Sequence, residues 1–387
     1  MSAPFAAPSV TWRGSDDPDA PLVVLLHGRG SNENDIIALA EHLPTGRPTA
    51  FAAVRAPIGE GGGYAWFANR GIGRPVAESL AETMAWFRRW LDEVAPPGRP
   101  VVLIGFSGGA AFAGGLILGG PARFAGAAVL YGTLPFDAGV PLTPARLAGL
   151  PVFVAQGEQD TVIPRELLDR TWSWLLGESG APALAGRYPG GHGPAAAAVG
   201  DLAQWLRERL DHLAAHGPAP VGPVAQVQWP TLPGGVLPPR RGPRPDVSST
   251  IPQEQRGQNA PAALQERLFG RLAALDGVTS RQSAISVPGA RGFMLADSGT
   301  PNGPVDAFLV PAAREFAHLH PEHDGSLHLA LPPALAADVV AQGWGVAHPL
   351  AGVRLTPGMV MLFGPRDDAE LDTVAGVVAA SHAWAHG

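Results

Sequence analysis

The sequence predicts an α/β chain, with a doubly wound, mostly parallel sheet in residues 1–216 and a second, smaller α+β domain in residues 228–387. Up to residue 216, short runs of Val, Leu and Ala alternate with amphipathic or small-residue stretches, which is typical of buried parallel strands joined by helices. From Pro218 onward, prolines are so frequent that neither a helix nor a central strand can continue. We therefore interpret residues 217–227 as a linker between two domains.

Within the first domain, strands and helices are predicted to alternate. Apolar runs bounded by Gly or Pro predict buried strands at residues 21–28, 48–57, 100–106, 125–132 and 151–157. The stretches between them predict helices at residues 32–43, 78–94, directly after Ser107, 165–179 and 196–217. Repeated strand–helix units imply a parallel sheet that is covered by helices on both faces.

The second domain is predicted to mix strands and helices without strict alternation. Apolar residues at helical spacing predict helices at residues 261–278, 332–344 and 367–385, and Asp367 and Asp368 can cap the last of these. Short apolar segments predict strands at residues 284–289, 292–298, 305–310, 316–321, 326–331 and 359–365. This order is typical of an α+β domain.

The composition excludes several kinds of chemistry. The 387 residues contain no cysteine, which rules out disulfides, thiolate metal sites, iron–sulfur clusters and a cysteine nucleophile. They contain no lysine either, which rules out a Schiff-base lysine, a P-loop lysine and a Ser-Lys dyad. A net charge of −7 with scattered arginines offers no basic stripe, so nucleic acid is not an expected partner.

Neither a signal peptide nor a membrane span is predicted. The N-terminus MSAPFAAPSVTWRGSDDPDA lacks a basic n-region and a continuous apolar core, and no uninterrupted apolar run reaches the length of a spanning helix. We expect a cytoplasmic protein that acts on a small molecule and needs no cofactor. The sequence does not predict an oligomeric state.

Residues 105–109 read Gly-Phe-Ser-Gly-Gly, and Ser107 is the candidate nucleophile. Because the chain contains 50 glycines, a G-x-S-x-G match carries little weight by itself. Here the run VVLI predicts a strand before the motif, and the small residues after it predict a helix that begins at once. This is the context of a nucleophile elbow, in which the helix N-terminus favours developing negative charge.

An acid and a histidine must follow the serine, in that order. Asp160 follows the last predicted strand of the first domain, and His192 lies in a glycine loop before its last helix. Asp137 and Glu158 are rival acids, but Glu158 lies too near the strand end, so we prefer Asp160. Asp160 as a turn residue and His192 as a surface histidine are the alternative interpretations. Order and context together favour a triad of Ser107, His192 and Asp160.

The oxyanion hole is expected to use two backbone N–H groups. One belongs to Gly108, directly after the serine, and the other to Arg29 in the loop after the first predicted strand. Each such donor is worth roughly 3–4 kcal/mol of the activation barrier. In this scheme His192 takes the Ser107 proton during attack on an acyl carbonyl, and water later releases the acyl group.

Four segments of the first domain, LHGRGSNENDI, GFSGGAAFAGGLIL, AQGEQDTVIP and YPGGHG, resemble the bacterial carboxylesterase/phospholipase family of α/β-hydrolases, which includes acyl-protein thioesterases. The resemblance covers roughly residues 8–214 and implies hydrolysis of short-chain esters or thioesters. In family members the serine is often followed by Gln-Gly-Gly, whereas in this chain Ser107 is followed directly by Gly108 and Gly109. The loop GGGYAWFANRG resembles the family's Trp-Phe loop near the acyl pocket, which makes Tyr64, Trp66 and Phe67 substrate-contact candidates. Simple packing is the alternative interpretation of this loop.

The segment REFAHLHPEHDGSLHLALP of the second domain is rich in histidine. His318 and His320 lie two residues apart in a predicted strand and therefore point to one face, which suits a metal or a pocket that handles oxygen. Without cysteine, a metal site there has His ligands with Glu315, Glu322 or Asp324 in reach. Hydrogen bonding of these histidines to backbone and carboxylates is the alternative, and the sequence assigns no metal.

Residues from about 228 to 385 resemble the luciferase-like domain of fungal luciferases and many bacterial proteins. The resemblance rests on LPPRRGPRP, SAISVPGARGFML, the histidine-rich segment, GWGVAHPLAG and MVMLFGPRDDAEL. In the fungal luciferases it implies cofactor-independent oxygenation of an α-pyrone, and light emission is not inferred for this chain. The candidate pocket residues are Arg314, His318, His320, His328 and His348.

Three hypotheses for function follow from these predictions. In the first, a serine esterase or thioesterase is fused to a ligand-binding domain that positions or converts its product. In the second, the enzyme is bifunctional and its C-terminal domain oxygenates a small aromatic or pyrone ligand. In the third, the C-terminal domain is a non-catalytic binding module.

Overall fold

The structure is a computed structural model that describes residues 5–223, 227–296 and 303–387. Parts of three predictions lie outside these ranges: the first four residues of the N-terminus, residues 224–226 of the linker and residues 297–298 of the strand predicted at 292–298. The domain boundaries at residues 216 and 228 stay predictions.

The N-terminal half contains a mostly parallel sheet with helices, as predicted. Its elements are β1 (Val10–Gly14), β2 (Leu22–Leu26), α1 (Glu33–Ile36), β3 (Ala50–Val54), β4 (Ile58–Glu60), β5 (Gly63–Ala65), β6 (Asn69–Gly71), β7 (Arg74–Pro75), α2 (Ala77–Val94), β8 (Val101–Phe106), α3 (Gly108–Gly119), β9 (Gly126–Leu130), β10 (Val152–Gly157), α4 (Arg165–Gly177), β11 (Ala183–Tyr188) and α5 (Ala196–His216). The sheet order is β1-β3-β2-β8-β9-β10-β11, and β1 is antiparallel to its neighbour β3 while the other neighbouring pairs are parallel. The doubly wound α/β prediction is therefore confirmed.

Alternate residues of the central strands pack into cores on opposite faces of this sheet. Leu22 and Val24 of β2 lie in one core with apolar side chains of α2 and α3. Val23 and Leu25 lie in the other core with apolar side chains of α5. Because both faces are covered, the central strands β2, β3, β8 and β9 carry no polar side chain, and the candidate catalytic groups lie in the loops at the carboxyl ends of the strands.

The edges of the sheet and the excursion after β3 differ from the prediction. The edge strands β1 and β11 were not predicted, because neither is a continuous apolar run: most of β1 is exposed, and β11 alternates between buried and partly exposed residues. The small strands β4 to β7 form two hairpins that were also missed. The helix predicted at 32–43 is α-helical only over α1, which Asn32 caps, and continues as a 3₁₀ helix at Ile37–His42.

The C-terminal half contains a separate antiparallel sheet. Its elements are α6 (Ala262–Ala273), β12 (Val278–Gln282), β13 (Arg291–Leu295), β14 (Glu315–Leu319), β15 (Leu327–Ala330), α7 (Pro333–Ala341), β16 (Gly345–Ala347), β17 (Met359–Leu362) and α8 (Asp368–His386). The sheet order is β12-β13-β14-β15-β17-β16. The prediction of a second α+β domain is confirmed.

The register of β14 and β15 decides where the histidines point. His318 of β14 lies directly opposite His328 of β15. Leu327 and Leu329, which flank His328, pack in the core with apolar side chains of α6 and α8. Because side chains alternate along a strand, His328 points to the opposite face of the sheet, away from these two helices.

Two predicted strands of this half are wrong. Residues 284–289 form a turn, because the Ser283 hydroxyl accepts hydrogen bonds from the amides of Ile285 and Ser286. Residues 305–310 begin with a 3₁₀ turn after Pro304 rather than a strand. Conversely, β12 and β16 were not predicted; β12 begins at the last residue of the stretch predicted as helix 261–278, since α6 ends at Ala273.

Helix α5 connects the two halves through a buried cation. Arg209 is 1% exposed, and its Nε donates to the carbonyl oxygen of Ala125 at 2.7 Å. Its Nη1 donates to the carbonyl oxygen of Gly352 in the C-terminal half. Burial lowers the pKa of Arg209 to about 10, which leaves it charged at neutral pH.

His212 lies one turn after Arg209 on α5, and its burial is expected to make the stability of the protein depend on pH. Burial, reinforced by Arg209 and His216, lowers the pKa of His212 to about 4 from its ordinary value of 6.5, and its Nε2 has no hydrogen-bond partner in the described residues. Between these two values the unfolded chain binds the proton and the folded chain does not, so stability falls as the pH drops. Urea titrations are expected to show wild type losing up to about 3 kcal/mol more than His212→Leu between neutral pH and pH 4. The exposed His42→Leu is the matched control, and identical pH profiles for wild type and His212→Leu would contradict the assignment.

Candidate functional site

Ser107 lies on a sharp turn between β8 and α3. Its backbone has φ 53° and ψ −113°, a conformation that costs energy for a residue with a side chain. The Ser107 amide donates to the carbonyl oxygen of Leu130 at 2.9 Å, which ties the turn to the end of β9. The serine is thereby presented at the carboxyl edge of the sheet, directly before the N-terminus of α3.

The glycines around Ser107 are required by close backbone contacts. A Cβ on Gly105 would lie 2.3 Å from the carbonyl oxygen of Gly109. A Cβ on Gly109 would lie 2.1 Å from the carbonyl oxygen of Leu26 at the end of β2. Strand and helix approach so closely that there is room for hydrogen only, and this accounts for the first and last glycines of the motif.

Gly109→Ala is expected to destabilise the N-terminal half. The three atoms nearest to the new Cβ are backbone atoms, which cannot rotate away, so we expect a cost of about 3 kcal/mol or more in the free energy of unfolding. Gly200→Ala is the control, because Gly200 lies in α5 with open space around its Cα and the change favours helix. Thermal unfolding of both variants checks this; a Gly109→Ala midpoint as high as that of wild type would contradict it.

A chain of hydrogen bonds joins Ser107, His192 and Asp160. His192 Nε2 lies 2.8 Å from Ser107 Oγ, and His192 Nδ1 lies 2.8 Å from Asp160 Oδ2. The Asp160 side chain is 0% exposed, and its Oδ1 accepts from the amides of Val162 at 2.9 Å and Ile163 at 3.1 Å. The carboxylate is thus held by its own loop, and His192 Nδ1–H donates to it, leaving Nε2 to accept from the serine hydroxyl.

The two rival acids lie elsewhere. Asp137 is half exposed and pairs with Arg74 at 3.6 Å and Arg170 at 3.4 Å. Glu158 is exposed, and its side chain makes no hydrogen bond to His192 in the described part of the chain. Of the three acids weighed from the sequence, the structure brings Asp160 to the histidine.

The two predicted oxyanion donors lie together beside Ser107. A Cβ on Gly108 would lie 3.2 Å from the backbone nitrogen of Arg29. Neither amide donates to a backbone carbonyl in the described ranges, so both are available to a substrate oxygen. The Arg29 side chain turns away: its Nε donates to Glu60 Oε1 at 2.6 Å and its Nη1 to the Phe67 carbonyl oxygen at 2.9 Å. Arg29 therefore also holds the hairpin segment in place.

A cavity of about 580 Å³ opens beside Ser107. Of the three aromatic candidates, Trp66 and Phe67 line this cavity, whereas Tyr64 packs beneath the Arg55 guanidinium, 4.8 Å from its ring centroid. Tyr64 is thus not among the lining residues. Several further apolar residues, which were not predicted from the sequence, line the cavity: Ile36, Ile72, Phe106, Ala111, Val162 and Ile163. Phe106 directly precedes Ser107, and Val162 and Ile163 closely follow Asp160. Their position next to candidate catalytic residues was the signal in the sequence that could have identified them.

His27 supports the Arg29 loop and was also missed. Its Nδ1 donates to the Gly28 carbonyl oxygen at 2.7 Å, and its Nε2 accepts from the Ala56 amide at 3.1 Å. The Trp66 indole donates to the His27 carbonyl oxygen at 2.8 Å. Burial is the largest influence and lowers the pKa of His27, which keeps the ring neutral and able to accept. Its place directly before the oxyanion loop was the signal in the sequence.

A second polar site lies in the C-terminal half, where three histidines converge. His318 Nε2 lies 3.2 Å and His320 Nε2 3.1 Å from His328 Nδ1. All three rings are buried, with at most 4% exposed. His348 lies beside them, with its ring centroid 5.0 Å from that of His328.

Two buried carboxylates orient this histidine cluster. His318 Nδ1 lies 2.8 Å from Glu315 Oε1, and His320 Nδ1 lies 2.7 Å from Asp324 Oδ2. Burial by itself raises the pKa of the Glu315 carboxyl, but hydrogen bonds from His318 and Ser283 outweigh it and hold that pKa below its ordinary value. Glu322, the third carboxylate considered from the sequence, is exposed.

Burial keeps His318, His328 and His348 neutral. It is the largest cause that lowers the pKa of His318, against the raising effect of Glu315. It lowers the pKa of His328 well below the ordinary value, with His320 as the next contributor. The pKa of His348 falls to about 3, again mainly through burial.

The four histidines line a cavity of about 390 Å³. Arg314, the fifth predicted pocket residue, is half-buried and is not among the lining residues; Arg354 lines the cavity instead. Gln253 also lines it, and its Oε1 lies 3.1 Å from His328 Nε2. Gln253 belongs to the proline-rich stretch before α6, where nothing in the sequence indicates a pocket residue.

Comparison with known proteins assigns each half separately. Residues 12–178 match the family described as Phospholipase/Carboxylesterase, and residues 313–381 match the family described as Luciferase domain. The N-terminal half thus resembles the carboxylesterase/phospholipase-like hydrolases, and the C-terminal half resembles the luciferase-like domains.

Three individual proteins illustrate the two resemblances. A luciferase of Armillaria ostoyae is 35% identical over 162 residues, which is 38% of this chain and 59% of that protein. A putative hydrolase of Bacillus subtilis, MhqD, is 28% identical over 195 residues, which is 49% of this chain and 94% of that protein. The crystal structure of a Bacillus cereus carboxylesterase is 25% identical and covers 52% of this chain and 94% of its own, with a TM-score of 0.46. The chain therefore spans only 59% of the luciferase that it matches.

Proposed function

We propose that the N-terminal half is a serine hydrolase that cleaves carboxylic esters or thioesters of small substrates. The observation that carries the proposal is the continuous hydrogen-bond chain from Ser107 Oγ through His192 to the buried Asp160 carboxylate. Such a chain is the arrangement that serine hydrolases use to activate a hydroxyl. The match to the Phospholipase/Carboxylesterase family supports the same reaction class.

In the proposed reaction, Ser107 Oγ attacks the acyl carbonyl carbon while His192 Nε2 accepts the hydroxyl proton. The oxyanion that forms accepts hydrogen bonds from the amides of Arg29 and Gly108. His192 then gives its proton to the leaving alcohol or thiol, and the acyl group remains on Ser107. A water molecule, deprotonated by His192, releases the acid and regenerates the serine.

The cavity supports a small substrate with an apolar acyl group. Trp66, Phe67, Phe106 and the aliphatic residues around them offer an apolar surface beside the nucleophile. Burying such a group away from water supplies binding energy of about 25 cal/mol per Å². Acetyl and butyryl esters are therefore the first substrates to compare.

The predictions about location, partners and cofactor made from the sequence are kept as part of this proposal. None of the helices in the described ranges combines the length with the apolarity that a membrane crossing requires. The cytoplasmic location, the absence of a nucleic-acid partner and the absence of a cofactor in the hydrolase reaction stay predictions.

For the C-terminal half, the histidine-lined cavity of about 390 Å³ supports binding of a small ligand. All three hypotheses include a ligand in this half, and only the bifunctional one, in which a small aromatic or pyrone ligand is oxygenated, predicts oxygen consumption. An oxygen electrode with the full chain and an α-pyrone or phenol separates them. Uptake supports the bifunctional enzyme, and ligand binding without uptake supports the binding module.

A fluorophosphonate probe tests the hydrolase proposal. We expect the probe to label one serine per chain, and mass spectrometry to place the label on Ser107. Turnover of p-nitrophenyl acetate and butyrate is expected to stop in proportion to labelling. A label on another serine, or no label in a protein that is folded, would overturn the proposal.

A further inference from the structure

We propose that His318, His320 and His328 bind one divalent transition-metal ion in the C-terminal half. The ligand atoms are Nε2 of His318, Nε2 of His320 and Nδ1 of His328, which all lie within 4.8 Å of one another. The proposal is independent of the hydrolase reaction, because none of these residues lies in the N-terminal site.

The protonation of two of the rings leaves a lone pair on each that faces the third histidine. His318 Nδ1 faces the Glu315 carboxylate and His320 Nδ1 faces the Asp324 carboxylate. A carboxylate only accepts hydrogen bonds, so each Nδ1 carries the proton. A neutral imidazole with its proton on Nδ1 has a free lone pair on Nε2. Both rings therefore direct a lone pair toward His328.

Gln253 fixes the protonation of the third ring, His328. Its Nε2 donates to the Ala347 carbonyl oxygen at 3.3 Å, which fixes the orientation of the amide, since the reverse would place two oxygens together. Its Oε1 then accepts from Nε2–H of His328 at 3.1 Å, leaving the lone pair of His328 Nδ1 free. Three lone pairs converge with no hydrogen between them, an arrangement that a bound cation stabilises.

The separations between ligand atoms suit direct coordination. Zinc binds histidine nitrogen at about 2.0–2.1 Å, which in a tetrahedral site puts neighbouring nitrogens about 3.4 Å apart. His328 Nδ1 lies 3.2 Å and 3.1 Å from its two partners. A displacement of the ring nitrogens by a few tenths of an ångström is enough to admit the ion.

The buried charge balance also favours a dication. The three imidazoles are neutral ligands, and the Glu315 and Asp324 side chains, 0% and 2% exposed, contribute two negative charges behind them. A divalent ion neutralises this pair, which is otherwise costly to bury. Carboxylate–histidine–metal arrangements of this kind orient the ring and make it a better ligand.

The ligand chemistry selects the class of metal. Three imidazole nitrogens without a thiolate suit Zn²⁺, Co²⁺, Fe²⁺, Ni²⁺ or Cu²⁺, and disfavour Ca²⁺ and Mg²⁺, which require oxygen ligands. His348 is not a fourth ligand: its Nδ1 accepts from the Leu350 amide at 3.1 Å, so its Nε2 carries the proton. The three ligating histidines line the same cavity as His348 and Arg354, so a further ligand can reach the ion from that cavity.

Cobalt titration of the full chain tests the proposal. Protein stripped with a chelator is titrated with Co²⁺ and followed by visible absorption, and Zn²⁺ is then added in competition. We expect one Co²⁺ per chain, displaced by Zn²⁺ and unaffected by excess Mg²⁺ or Ca²⁺. His328→Gln is expected to weaken Co²⁺ binding more than about 100-fold, and Glu315→Gln, which leaves all three ligands in place, by about 10- to 100-fold.

His386→Gln is the matched control, because His386 is exposed on α8 beside His382 and represents an adventitious surface site. Its affinity for Co²⁺ is expected to equal that of wild type. Circular dichroism establishes that each variant is folded; if His328→Gln is not, the wild-type stoichiometry and Glu315→Gln decide. No Co²⁺ absorption in wild type, unchanged affinity in a folded His328→Gln or Glu315→Gln, or a loss in His386→Gln would overturn the proposal.

Discussion

Ser107→Ala is expected to lower kcat for p-nitrophenyl acetate on the order of 10⁵-fold and to abolish fluorophosphonate labelling. The substitution removes the only atom that bonds to the acyl carbon, while His192 and Asp160 remain in place. The oxyanion donors of Arg29 and Gly108 also remain, so a slow residual reaction with water is expected rather than none. Initial rates at saturating ester measure the effect.

The control for this variant is Ser173→Ala, an exposed serine of α4. It is expected to keep the wild-type rate and label. Alanine carries a Cβ as serine does, so the backbone conformation at position 107 costs the same in both proteins. Ser107→Ala is therefore also expected to fold with an unchanged thermal midpoint. A folded Ser107→Ala that still turns over ester at the wild-type rate would place the nucleophile elsewhere.

Asp160→Asn is expected to lower kcat about 10⁴-fold with little change in KM. The new amide either directs its NH₂ at His192 Nδ1 or loses its bonds from the Val162 and Ile163 amides. With NH₂ facing Nδ1, the proton of the ring moves to Nε2, which then can no longer accept from Ser107. The pH dependence of kcat and the rate of labelling both report this change.

The rival acids provide the controls for Asp160. Glu158→Gln and Asp137→Asn alter exposed carboxylates that make no contact with His192 in the described residues, and both are expected to keep the wild-type kcat. A 10⁴-fold loss in either of them, with Asp160→Asn active, would reassign the acid.

The first half was largely predictable because its signals are local. Short apolar runs between glycines and prolines mark strands that are buried on both faces, and this pattern does not depend on distant residues. The edge strand β11 and the 3₁₀ helix after α1 were not predicted, because their formation depends on a neighbouring strand or on packing rather than on their own sequence.

The second half was less predictable because its antiparallel strands are short and its turns carry apolar residues. Residues 284–289 look like a strand, yet the Ser283 hydroxyl and the Glu315 carboxylate capture the amides that a strand would pair. Both partners act through tertiary contacts or side-chain geometry that periodicity does not register. Arg314 is near the histidines in the sequence, but the fold brings Arg354 to their cavity instead.

By itself, the sequence determined which chemistry is available: a serine on a glycine turn, an acid and a histidine in the required order, no cysteine and no lysine, and histidines at strand spacing. Only the tertiary structure decided which groups meet. It brought Asp160 rather than Asp137 or Glu158 to His192, and it placed Gln253 and two carboxylates behind the converging histidines. The physical reason is that local patterns encode which face of an element is buried, whereas contacts between elements depend on packing at the ends of strands that are distant in the chain.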